Sequence, residues 1–305
     1  MPEVRQVGRP GPQSVLSTRA RFGIAPPWKE ARGVTLIELV MVMIITGIIA
    51  AVVAVFIQKP VQSYFDSTRR AELVDAADSA IKRMTRDLRL ALPNSVRVDP
   101  GGTYLEFLIT SGGGRYRADV DAGGLGNPLT FGTAASPYRF DVIGSAPPVT
   151  LNSDSIVVYN LGPGFPNADA YAASNNNRRL IIGSSAAGGV TTFTISPALA
   201  LVFESPGKRF QVVQYAVTYQ CAANSGNPAA GVVQRYWNYG ILATQPTSFS
   251  TANTARIAGN VSRCTFTYNP NVIAQREGVV IVSLQLTKSQ ETVTLVGQAH
   301  VSNVP

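Results

Sequence analysis

Histidine and cysteine are nearly missing from this chain. In 305 residues there is one histidine, His300, and two cysteines, Cys221 and Cys264. A histidine-based catalytic triad would have to use His300, and no Gly-x-Ser-x-Gly elbow accompanies it. A zinc site needs closely spaced ligand pairs, which two distant cysteines and one histidine do not supply. No glycine-rich phosphate motif is present. Asp119-Val120-Asp121-Ala122-Gly123-Gly124 opens like a calcium loop but lacks the later ligands and the closing glutamate. No catalytic residue, cofactor or metal is therefore expected. Charged residues are also scarce, 14% against 45% hydrophobic, and that balance excludes a largely disordered chain.

What the chain does have is one long apolar run. It begins Arg32-Gly33-Val34-Thr35-Leu36-Ile37-Glu38-Leu39-Val40 and stays apolar to Ile57. Read as a helix, about 24 residues from Val34 to Ile57 extend roughly 36 Å, enough to cross a hydrocarbon core of about 30 Å. Lys29 and Arg32 stand just before it. Residues 1–33 hold six basic and two acidic side chains, hence half of the net +8 charge. A basic flank of this kind predicts a cytoplasmic N-terminus. It does not predict nucleic-acid binding. Nor is this a conventional signal peptide, because the apolar segment is too long.

Glu38 is the anomaly within the run. A carboxylate at the centre of a spanning helix costs at least about 2.5–3.5 kcal/mol, so its presence points to function. Snorkelling to the interface is the bland alternative. A cut after Gly33 would place a new α-amino group on Val34, four residues before Glu38. Ammonium and carboxylate would then neutralise each other within one chain or between neighbours. In apolar surroundings that attraction far exceeds its strength in water.

Gly33 followed by Val-Thr-Leu-Ile-Glu resembles the type IV prepilin processing motif, and Gly47 sits where such helices often carry glycine. The resemblance implies that a membrane-embedded prepilin peptidase cuts after Gly33 and methylates the amine of Val34, with Glu38 as the assembly glutamate. The family usually has phenylalanine where this chain has Val34. Other stretches narrow the likeness: Ala91-Leu92-Pro93-Asn94-Ser95-Val96-Arg97-Val98, Arg209 to Val213, Tyr219-Gln220-Cys221, Arg235-Tyr236-Trp237, and His300 to Pro305. Together they resemble the MshO-type minor pilins of mannose-sensitive haemagglutinin pilus systems. Those are similar in turn to the J-type minor pseudopilins of type II secretion. The implied partners are prepilin peptidase, other minor and major pilins, the pilus assembly platform and inner-membrane lipid. The implied location is the bacterial inner membrane, single pass, with the C-terminal domain periplasmic before entry into a pilus or pseudopilus. A membrane-anchored periplasmic adhesin or binding protein is the reading from a different class.

The rest of the chain divides accordingly: a leader over 1–33, an N-terminal helix over 34–92 and a β-rich domain over 93–305. Leu73, Ala77, Ile81, Met84, Leu88 and Leu92 recur every three or four residues, an apolar stripe on a charged helix. The charges beside them read as a solvated face. Pro60 is expected to kink the helix without ending it. Period-two alternation predicts strands at Tyr104–Ile109, Tyr138–Ile143, Ser155–Asn160, Val190–Ile195 and Phe210–Gln220, with a terminal hairpin of Gly278–Thr287 and Glu291–Val301. Gly112-Gly113-Gly114 is expected to separate strands, and Asn167 to Arg179 to form a polar surface loop. Tyr236, Trp237 and Tyr239 read as packing residues. The fold class expected is α+β, one long helix packed on a mainly antiparallel domain. In an extracytoplasmic domain a Cys221–Cys264 disulfide is favoured. By chain entropy, closing that loop of about 43 residues stabilises by roughly 4 kcal/mol.

Overall fold

The computed structural model describes residues 33–132, 138–174, 176–196, 201–273 and 277–305. The chain divides into two compact units, Met1–Lys59 and Pro60–Pro305. Helix α1 runs Leu36–Arg89, 54 residues with Pro60 inside it. It stops three residues before the expected Leu92. Ala91 already bridges Ile109, and the Leu92 amide donates to the Leu108 carbonyl at 2.8 Å. The backbone has thus turned to strand-like pairing before Pro93 can act as a stop.

In the first unit every described residue of the helix is exposed. In the second, Leu73, Ala77, Ala80, Met84 and Leu88 are buried, at the three-and-four spacing of one helical face. Leu92 is buried too, but in a different cluster beyond the helix.

Twelve strands follow among the described residues. The first six are β1 (Arg97–Val98), β2 (Tyr104–Tyr116), β3 (Arg139–Ile143), β4 (Ser155–Val157), β5 (Arg178–Ala187) and β6 (Val190–Ser196). The others are β7 (Arg209–Ala222), β8 (Val232–Trp237), β9 (Asn253–Gly259), β10 (Val261–Ile273), β11 (Glu277–Lys288) and β12 (Glu291–Ser302). A nine-stranded sheet has the order β1-β2-β3-β6-β5-β4-β7-β8-β9, and β2 also pairs with β7. That extra ladder closes β2, β3, β6, β5, β4 and β7 into a ring. A separate antiparallel sheet holds β10, β11 and β12. All strand pairs are antiparallel.

The strands of the ring enclose an aromatic core. Phe140, Phe193 and Phe210 meet edge to face, with centroids 5.3 to 6.1 Å apart, the arrangement ring quadrupoles favour. Here the Gly112-Gly113-Gly114 run departs from expectation. It lies inside β2, not between strands. A Cβ on Gly114 would stand 2.8 Å from the Phe210 ring. The glycines therefore make room for an aromatic side chain without ending the strand.

The second core lies between the helix stripe and both sheets. Leu105, Phe107 and Ile109 of β2, Val217 and Tyr219 of β7, and Val280, Val282 and Leu284 of β11 join Met84 and Leu88 there. A Cβ on Gly297 of β12 would lie 2.2 Å from Ile81 Cγ2, so glycine sets how closely this strand approaches the helix. Asp87 corrects the solvated-face reading of the helix charges. Its Oδ2 accepts from Tyr219 Oη at 2.7 Å and from Arg235 Nε at 2.8 Å, and Arg235 is buried. Tyr236, Trp237 and Tyr239 pack, as expected: Tyr236 stacks on Phe249 at 4.2 Å, and Trp237 lies beneath the Arg235 guanidinium.

The expected terminal hairpin is β11–β12. Ser289 and Gln290, both at positive φ, form its two-residue turn between paired Lys288 and Glu291, as hairpin twist requires. The expected loop from Asn167 to Arg179 is corrected. Ala168, Ala170, Tyr171, Asn177 and Arg179 are buried, and β5 begins at Arg178. Asn160 ties the segment down by accepting from the Ala170 amide at 3.0 Å and donating to the Pro93 carbonyl at 2.8 Å. The expected strand Ser155–Asn160 ends at Val157, because Tyr159 turns the chain at a φ of 52°.

Candidate functional site

The residues singled out at the apolar run gather at the start of α1. Gly33 and Val34 precede the helix in non-helical backbone, both exposed. Thr35 is the N-cap. Its Oγ1 accepts from the Glu38 amide at 3.3 Å, and its carbonyl receives the Leu39 amide at 3.1 Å. Thr35 and Glu38 thus stand in the Thr-x-x-Glu spacing of a capping box. That local signal is present in the sequence and was not read from it. Glu38 lies in the first turn, where the helix dipole favours an anion. It takes part in no ion pair among the described residues.

Beyond Glu38 the helix is uncharged until Lys59. Thr46 interrupts the apolar surface, but its hydroxyl donates back to the Val42 carbonyl at 2.6 Å and is satisfied within the helix. This helix is long and apolar enough to cross a membrane, and none of its apolar window is buried within the protein. Lys29 and Arg32 lie outside the described residues.

Residues 28–54 match the family described as the Prokaryotic N-terminal methylation motif. The chain carries a type IV prepilin-like signal. This prepilin signal supports a pilin- or pseudopilin-like protein that prepilin peptidase processes and that assembles with other pilins. Together with the exposed apolar helix, it fits a single-pass inner-membrane anchor. No curated protein and no solved structure matches the chain.

The other candidate residues sit elsewhere. Cys221 in β7 and Cys264 in β10 are bonded, with Cα atoms 5.9 Å apart, so the bridge joins the nine-stranded sheet to the three-stranded one. His300 is exposed on β12, its Nδ1 3.3 Å from Glu277 Oε2. Asp121 turns its carboxylate inward on its own loop, with Oδ1 accepting from the Gly123 and Leu125 amides at 2.9 and 2.8 Å. No group of three His, Cys, Asp or Glu side chains among the described residues could hold a metal.

Two polar clusters escaped sequence reasoning. Arg97 Nε donates to the fully buried Glu106 at 2.7 Å, and Tyr239 Oη donates to the same carboxylate at 2.9 Å. Burial pushes the Glu106 carboxyl up, and Arg97 restrains the rise. Asp141 is opposite in sign. Burial would raise its carboxyl, but the Asn127 amide and side chain, Thr192 and Arg117 outweigh it and hold it below the ordinary range. In both clusters the partners come from separate strands or loops, so no local spacing announces them.

Proposed function

We propose that this protein is a minor pilin-like subunit of the mannose-sensitive haemagglutinin type. Prepilin peptidase cuts between Gly33 and Val34 and methylates the new Val34 amine. The N-terminus starts on the cytoplasmic side, flanked by Lys29 and Arg32, and the β domain lies in the periplasm. Glu38 then accepts the N-terminal amine of an adjacent subunit as the helix leaves the bilayer for a pilus tip or initiation complex. The assembly platform, other minor and major pilins and inner-membrane lipid are the partners.

One observation carries this reading. The prepilin signal over 28–54 coincides with a capped helix start whose following apolar residues have no interior partner. An unpaired carboxylate there is costly in hydrocarbon. A neighbour's ammonium supplies the missing charge, and its attraction grows as water is excluded.

The test is mass spectrometry of the mature N-terminus from native cells, together with Glu38→Ala. The expected chain begins at a methylated Val34. The variant is expected to be processed normally and lost from filaments. A chain that keeps Lys29 and Arg32 overturns the proposal, and wild-type incorporation of Glu38→Ala removes Glu38 from it. Co-purification with pilus subunits is expected; recovery with secretion pseudopilins would move the protein to that system.

A further inference from the structure

A cleft of about 960 Å³ opens where β4, β5 and β7 meet the loop after β8. That volume suits a small ligand. Its described lining carries two guanidinium groups, Arg178 and Arg179, and no carboxylate. The two arginines differ. Arg179 Nη1 donates to the Arg178 carbonyl at 2.7 Å and the Asn176 carbonyl at 3.1 Å. Arg178 Nη1 is shielded from solvent and has no hydrogen-bond partner among the described residues. Burial lowers the Arg178 pKa from its usual value, and the charge of Asp169 only partly opposes this. Buried donors in folded proteins nearly always find acceptors, and a charged donor needs one most.

The surroundings are polar and built. The β2–β7 ladder steps from Ile109↔Tyr215 to Thr110↔Val213, so Gln214 is the extra residue of a β-bulge. Bulges of this kind re-aim a side chain, and Gln214 lines the cleft. Asn238 lines it from a left-handed turn at a φ of 60°. Tyr239, next in sequence, anchors that turn through its bonds to Glu106 and Thr218. Ser155 adds a hydroxyl and Tyr215 an aromatic ring. Amides and hydroxyls around a guanidinium with one unpartnered nitrogen match ring hydroxyls around one carboxylate. No helix N-terminus, the common phosphate cradle, contributes to the described lining.

We propose that this cleft binds a carboxylate-bearing oligosaccharide, with Arg178 pairing the carboxylate and Ser155, Gln214 and Asn238 meeting the ring hydroxyls. The site is independent of filament assembly, so its failure and that of the assembly role are separable.

Calorimetric titration of the full chain in detergent micelles provides the test, with cellobiouronic acid as probe. Its matched neutral disaccharide, cellobiose, is the control. Saturable binding is expected for the acid, about tenfold or more weaker for cellobiose, and weakened to a similar degree by Arg178→Gln at an unchanged thermal midpoint. Equal binding of the two sugars, no saturable binding of the acid, or its displacement by equimolar inorganic phosphate would each overturn the proposal. Gln214→Ala tests the cleft if Arg178→Gln does not fold. A several-fold loss of affinity supports the site, and unchanged affinity counts against it.

Discussion

Two stretches of α1 meet opposite fates. From Leu39 to Ile57 the surface is apolar on every side but for Thr46, and no residue is buried. From Leu73 to Leu88 most apolar residues keep to one face, and that face is buried against two sheets. Secondary structure is the same in both; the difference is which solvent each surface requires. A stripe is completed by the chain's own core, whereas an apolar cylinder needs lipid or other helices.

Mutations can break this comparison at either stretch. The largest effect is expected at Asp87→Ala, which leaves Arg235 buried without its carboxylate. A loss of about 3–5 kcal/mol is expected in chemical denaturation of the β unit. Gly297→Ala comes next. Its new methyl would collide with Ile81, and overpacking of this kind costs about 1–3 kcal/mol, read as a lower denaturation midpoint. Asp141→Asn sharpens the contrast by pH. Because the folded carboxyl sits below its ordinary value of 3.8, its stabilising contribution is full above that value. It fades as pH falls through the lower folded value. The wild type should therefore lose stability in acid more steeply than Asp141→Asn, measured by thermal midpoints across pH 2 to 5 (roughly the carboxylate range). The smallest effect is expected at Ile44→Ala. The β unit's midpoint should shift by no more than about 0.5 kcal/mol, since Ile44 has no interior contact to lose. A large shift there would mean that the apolar stretch folds against its own domain after all.

Much of this was legible in the residues. The helix and the β11–β12 hairpin announce themselves because both follow local periods and a two-residue turn. The strand order was not legible. The six-strand ring depends on β2 pairing with both β3, 26 to 28 residues away, and β7, 94 to 116 residues away. β9, reading Asn-Thr-Ala-Arg-Ile-Ala-Gly, has little apolar alternation and exists through its register with β8. The Asn167–Arg179 segment misled for another reason. Its asparagines look like loop residues, yet Asn177 donates to the carbonyl of buried Val158, and Tyr171 is held in the interior by the bond from its hydroxyl to the Ser95 carbonyl. At the helix start the Thr-x-x-Glu spacing marks a local cap, a meaning that stands beside the assembly role proposed for Glu38.

The six-strand ring has a consequence for crowding. Closing a sheet on itself leaves its strands no frayed margin on which foreign backbone could zip. In the described residues the open rims belong to the outer strands, such as β9 and β12, and to the far end of β5, where 183–187 pair with β6 alone. Copies pressed together at high local density would therefore touch through side chains around most of the ring. Such contacts can be made and released without the irreversible fusion that bare strand borders invite.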